Sequence, residues 1–147
     1  MAPGKKITRI VADASVIVKW FVEEDDSRMA LQIQESYIHE KIDIACPQLL
    51  RYEVLNALRY NPEFGEEQVR KASLALEKYQ LWQHPIEEEL ATLCISNAFA
   101  HGISLYDSSY VSLAEYLNIP LYTADQKLLD KLGTGNEQFR HISQFAG

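Results

Sequence analysis

The chain has 147 residues, 47% hydrophobic and 24% charged, and carries a formal net charge of −7. This balance suits one ordinary domain, expected over residues 1–147, whose core needs no metal or disulfide staple. It disfavours nucleic-acid binding through a basic patch. No stretch reaches the roughly 18 apolar residues of a membrane span, and no apolar segment of signal-peptide type follows Met1 to Lys6, so the expected location is the cytoplasm, with no membrane partner.

Ile7 to Ala12 is nearly unbroken in Ile, Val and Ala, as in a strand covered on both faces of a parallel sheet. Asp13 ends the run, where it either caps the following helix or faces the crevice in which open α/β sheets bind ligands. A helix is expected over Ala14 to Phe21, a solvated acidic loop over Glu23 to Asp26, and a second helix from Arg28 to Glu40. Ile42 to Cys46 alternates as a strand, and Pro47 is suited to be the first residue of a helix reaching Tyr60. In that helix Leu50, Val54, Ala57 and Leu58 form a buried stripe that also contains Glu53. A carboxylate so placed needs a base, a proton or a metal, and Arg51 and Arg59 are the nearest bases.

Asn61 to Gly65 breaks the chain before a helix over Glu66 to Leu81. Trp82 to Ile86 reads as a short strand that Pro85 confines to an edge. Glu87 to His101 is a helix closed by Gly102. Ser104 and Asp107 have capping-box spacing at the head of the next helix, which should bury Tyr106, Tyr110, Leu113 and Leu117. Pro120 to Ala124 is a strand ended by Asp125, Gln126 to Leu132 a short helix that Asp125 can cap, and Phe139 to Ile142 a last strand. Cys46 and Cys94, far apart in apolar segments, read as buried free thiols.

Strands alternating with helices predict a parallel sheet of four to five strands with helices on both faces. Asp13 and Asp125 then share one rim with Glu53 and Asp107. Two unit charges 4 Å apart repel by about 4 kcal/mol at an effective dielectric of 20, so four acids together are hard to explain by stability alone. An all-oxygen set favours Mg²⁺ or Mn²⁺ over zinc, with Ser15, Thr123 and Asn56 available for supporting hydrogen bonds. Two such cations would cut the net charge to about −3. Lys5, Lys6, Arg9, Lys19, Arg51, Arg59, Lys127 and Lys131 are then available to line a modest track. With no Ser-His or Cys-His pair, this chemistry suits attack by metal-activated water on a phosphodiester.

Val11-Ala12-Asp13-Ala14-Ser15, Glu53-Val54-Leu55-Asn56-Ala57-Leu58, Ser104-Leu105-Tyr106-Asp107 and Thr123-Ala124-Asp125-Gln126, in this order, resemble a PIN-domain protein of the VapC toxin type. The resemblance runs from about Ile7 to Phe145. It implies a three-layer α/β/α fold and Mg²⁺- or Mn²⁺-dependent endoribonuclease activity. It also implies homodimerisation and a small cognate antitoxin of VapB type. By motif position Asp13, Glu53, Asp107 and Asp125 are the catalytic and metal-holding acids, and Ser15 and Thr123 the accessory hydroxyls. Two alternatives are a binding module, PIN-like, that grips RNA or a partner protein without cutting, and a housekeeping RNA-processing nuclease. Phosphotransfer through Asp13 ranks last, because Asp13-Ala14-Ser15 lacks the second acid of an aspartyl phosphatase signature.

Overall fold

A computed structural model describes residues 7–147, so Lys5 and Lys6 of the expected basic track lie outside the described residues. Five strands, β1 (Thr8–Ala12), β2 (Ile42–Pro47), β3 (Trp82–His84), β4 (Leu121–Thr123) and β5 (Phe139–His141), form one sheet in the order β3-β2-β1-β4-β5. Every pairing is parallel. The opening apolar run is covered on both faces only toward its carboxyl end: Thr8 and Arg9 are exposed, while Ile10, Val11 and Ala12 are buried.

The connections to β2 pass through α1 (Ala14–Ile17), a 3₁₀ turn (Val18–Trp20) and α2 (Ser27–Ile38). Those to β3 pass through α3 (Leu50–Arg59) and α4 (Glu66–Tyr79). From β3 the chain crosses back to the far side of β1 by way of α5 (Glu88–His101) and α6 (Leu105–Leu117), and α7 (Gln126–Leu132) joins β4 to β5. Parallel crossovers are right-handed, so steps in opposite directions along the sheet place their helices on opposite faces. The result is a three-layer α/β/α sandwich, with α6 lying across β1, β2 and β4 and α5 packed outside it. The direction reverses between β1 and β4, and the crevice beyond the carboxyl ends of strands at such a reversal is where ligands bind in open α/β sheets.

The core gathers Ile10, Val11, Ile44, Val54, Leu113 and Leu121 between the layers. Both cysteines are buried free thiols, as expected. Among the described residues, no helix is long and apolar enough to cross a membrane.

Several expected boundaries and orientations change. The first helix is only one turn long before it tightens to 3₁₀ geometry. Pro47 ends β2 instead of starting α3, because its neighbour position in the sheet is taken by His84 of β3 and the helix begins only at Leu50. Ala57 is exposed although it was expected in the buried stripe of α3, so that stripe narrows to Leu50, Val54 and Leu58. Tyr106 is exposed too, since the first turn of α6 begins its buried run only at Ser108.

Candidate active site at the carboxyl rim

The Asp13 amide donates to the Tyr122 carbonyl at 3.3 Å, which carries the β1–β4 pairing one residue past the strand and sets Thr123 against Asp13. Asp13 occupies the N-cap position of α1 with extended backbone, but its side chain does not make the cap bond. The carboxylate turns to two hydroxyls instead. Ser15 Oγ donates to Oδ1 at 2.5 Å and Thr123 Oγ1 donates to Oδ2 at 2.5 Å.

Each hydroxyl is used in both directions. Ser15 Oγ accepts the Ala124 amide at 2.9 Å, and Thr123 Oγ1 accepts the Asp125 amide at 3.0 Å. A hydroxyl has one proton and two lone pairs, so both protons are committed to Asp13 while the backbone amides fix both rotors. The result is a latch between the ends of β1 and β4. Asp13 is only 7% exposed, and burial pushes its carboxyl up to about 6 against the pull of the two hydroxyls.

The other three acids stand where helices leave the same rim. Asp125 is the N-cap of α7 and accepts the Leu128 amide at 3.1 Å, as its position after β4 predicts. Asp107 sits in the first turn of α6, its amide held by the Ser104 side chain at 3.0 Å. Glu53 sits in the first turn of α3. Helix N-termini favour negative charge, which partly offsets the repulsion among these groups.

Burial raises the Asp107 carboxyl, and the charge of Asp125 raises it further, while Lys131 and Ser104 pull the other way. Burial raises Glu53 as well, opposed by a hydrogen bond from Tyr110 and reinforced by the charge of Asp107. Asp107 also acts on Asp13. It is therefore the hub of the cluster, the carboxylate that interacts electrostatically with each of the other three.

Neither arginine partners Glu53. Arg51 Nη2 is held by Ser73 and Glu77, each at 2.7 Å, and Arg59 stacks over Tyr60. The partner is Tyr110, whose hydroxyl donates to Glu53 at 2.6 Å. Burial and the Glu53 charge push this phenol far above its ordinary range, so it stays a neutral donor. Helical periodicity puts Tyr110 in the core but does not reveal this role. The signal was there, because a buried tyrosine needs a hydroxyl partner and an inward glutamate needs a donor. Asn56 is exposed and makes no side-chain hydrogen bond to the acids among the described residues. Of the expected basic track, Lys19 is buried in an ion pair with Glu24 at 2.9 Å.

Among the described residues, no three acid, histidine or cysteine side chains form a ready-made metal cage. A hard cation of the Mg²⁺ kind commonly binds through one or two carboxylates and keeps several waters. The donor chemistry fits: Asp13 uses one lone pair on each oxygen for the latch and leaves others free, and Asp107 lies within electrostatic reach of every other acid.

Fold and rim together define an α/β/α protein with an acidic site at the topological switch of a parallel sheet. The PIN domain matches residues 10–134, and the chain belongs to the PIN-domain family, among its VapC members. It is 32% identical to Ribonuclease VapC3 of Pyrobaculum aerophilum over 130 residues, covering 84% of this chain and 94% of that protein. With Ribonuclease VapC1 of Mycobacterium tuberculosis it shares 33% identity over 121 residues, 80% of this chain and 86% of the relative. A toxin–antitoxin complex from Klebsiella pneumoniae contains a chain of the same fold, with a TM-score of 0.68 at 16% identity over 90% of this chain and 97% of that one.

Proposed function

We propose that the chain is an endoribonuclease dependent on a divalent cation, Mg²⁺ or Mn²⁺, and the toxin of a toxin–antitoxin pair held in check by a small antitoxin of VapB type. The observation that carries this reading is the placement of four acids at the carboxyl rim of a PIN-domain chain: the latched Asp13 after β1, Asp125 after β4, and Glu53 and Asp107 in the first turns of α3 and α6. The ribonuclease names of the VapC relatives supply the substrate class.

In this reading Asp13 and Asp107 hold the cation, with Glu53 and Asp125 completing the acidic rim. A bound divalent cation supplies activation of water for attack on a phosphodiester and stabilises the leaving oxygen. The chain contributes geometry. Ser15 and Thr123 keep the Asp13 carboxylate in one orientation, and the Tyr110 hydroxyl fixes Glu53 without adding a positive charge that would compete with the cation. Homodimerisation belongs to the same reading.

The test is incubation of the purified protein with total RNA and Mg²⁺ or Mn²⁺ beside an Asp13→Asn variant. Cleavage should depend on added metal and fall by about a thousandfold in the variant, since a metal site contributes several kcal/mol to the transition state. Equal cleavage by both proteins would overturn the reading.

A further inference from the structure

Glu53 and Asp107 share a local feature that the chemistry above leaves unused. Each follows directly after a tyrosine, in Arg51-Tyr52-Glu53 and Leu105-Tyr106-Asp107. Both tyrosines lie in the first turns of helices that leave the acidic rim. Tyr52 is 76% exposed and Tyr106 is 62% exposed. A third tyrosine, Tyr110, lies one turn beyond Tyr106 and is buried. The contrast isolates the two rim rings: neither packs into the core, and neither hydroxyl has a side-chain or backbone partner among the described residues.

The electrostatics decide what such rings could hold. The rim is acidic, the chain has a net charge of −7, and two of the expected cationic contacts, Lys19 and Arg51, are engaged by Glu24 and Glu77. Lys127 and Lys131 of α7 remain for phosphates, Lys131 close enough to act on Asp107, so what the two rings would add is contact with the bases. Stacking on a base needs no charge and tolerates any sequence, because every base offers a π-face. Aromatic rings beside a phosphodiester-cutting centre also fit single-stranded RNA, whose unstacked bases can be splayed onto side chains.

We propose that Tyr52 and Tyr106, each next in the chain to an acid of the cluster, are base-stacking platforms that position single-stranded RNA with its backbone at the acids. They are positioning residues and take no part in the chemical step. The proposal rests on the ribonuclease reading for its substrate, but its own content is the placement of two rings.

The experiment uses the full chain and a short single-stranded RNA oligonucleotide carrying 2-aminopurine. Steady-state cleavage is followed with Mg²⁺ or Mn²⁺, and binding by fluorescence quenching in a metal chelator. Tyr52→Ala and Tyr106→Ala should each raise KM about tenfold with kcat within about twofold, and should weaken quenching, at an unchanged melting temperature because both rings are exposed. Tyr52→Phe and Tyr106→Phe should retain wild-type KM, since stacking needs the ring and not the hydroxyl.

Unchanged KM in both alanine variants overturns the proposal while leaving the nuclease reading intact. Phenylalanine variants as impaired as the alanine ones also overturn it, as the hydroxyls would then be the contact. So does a KM rise that tracks a drop in oligomer mass by light scattering, which would assign the rings to a second copy of the chain. Quenching by the wild type that both alanine variants lose, with no cutting by any of them, supports the platforms and removes the nuclease reading.

Discussion

The ends of β1 and β4 carry nearly the same residues in opposite order, Asp13-Ala14-Ser15 against Thr123-Ala124-Asp125, and they do different work. Asp13 occupies an N-cap position without capping and is drawn inward by two hydroxyls. Asp125 caps α7 and stays half-exposed. The reversed order is the cause: in the parallel register each hydroxyl lies across from the other strand's acid or amide, so both can serve Asp13. One end is a buried anchor held by two hydroxyls, the other an ordinary helix start that also faces the rim. Similar local sequence therefore does not imply similar burial or charge energetics.

The largest effect expected from this difference is on the pH dependence of folding. In the unfolded chain Asp13 releases its proton near 4, whereas in the fold it holds it up to about 6. Below about pH 4 both states are protonated and the contribution to stability is intact. Between about 4 and 6 the unfolded state ionises first, so the metal-free protein loses stability as pH rises, by up to about 3 kcal/mol at neutral pH. Urea denaturation in a chelator should show this slope, flattened in Asp13→Asn, and Mg²⁺ should restore stability at pH 7 more than at pH 5. An equal slope in Asp13→Asn would move the anchor elsewhere.

Next in size is Thr123→Val. It removes a donor from a buried carboxylate and leaves the Asp125 amide without its acceptor, a cost of about 2 kcal/mol in chemical denaturation. Ser15→Ala should differ in kind. Ser15 is half-buried, so water can replace part of its bonding, and stability should fall by only about 1 kcal/mol while metal-dependent cleavage drops roughly tenfold. A large loss of thermal stability with unchanged activity would contradict that role. Asp125→Ala probes the opposite end and should cost about 1 kcal/mol of stability through loss of the cap. A cost matching that of Thr123→Val would mean that the two ends are not distinct.

The acids were legible because they interrupt apolar runs where chemistry gains nothing from an acid, and α7 was bounded correctly because Asp125 signals its start and Gly133 its end. What one dimension could not supply was the cross-chain partner. Helical spacing placed Glu53 on the inward face, yet its donor lies 57 residues away on another helix. The same limit hid the Asp13 hydroxyls: Ser15 is local, but Thr123 arrives only through the β1–β4 register. Tyr106 was misplaced because periodicity assigns a face without saying where along a helix the covering layer begins.

The Thr123 to Asp13 bond closes a span of 110 residues. During synthesis β1 emerges first, yet the strand that completes its rim, with Asp125 beyond it, emerges only in the last quarter of the chain. Sites built from such distant segments form after the intervening loop has been closed. A nascent or prematurely terminated chain ending before Thr123 thus lacks both the anchor of Asp13 and the fourth acid. The arrangement makes completeness of the polypeptide a condition for assembling the rim, so fragments carrying the first acidic motif are inert by construction.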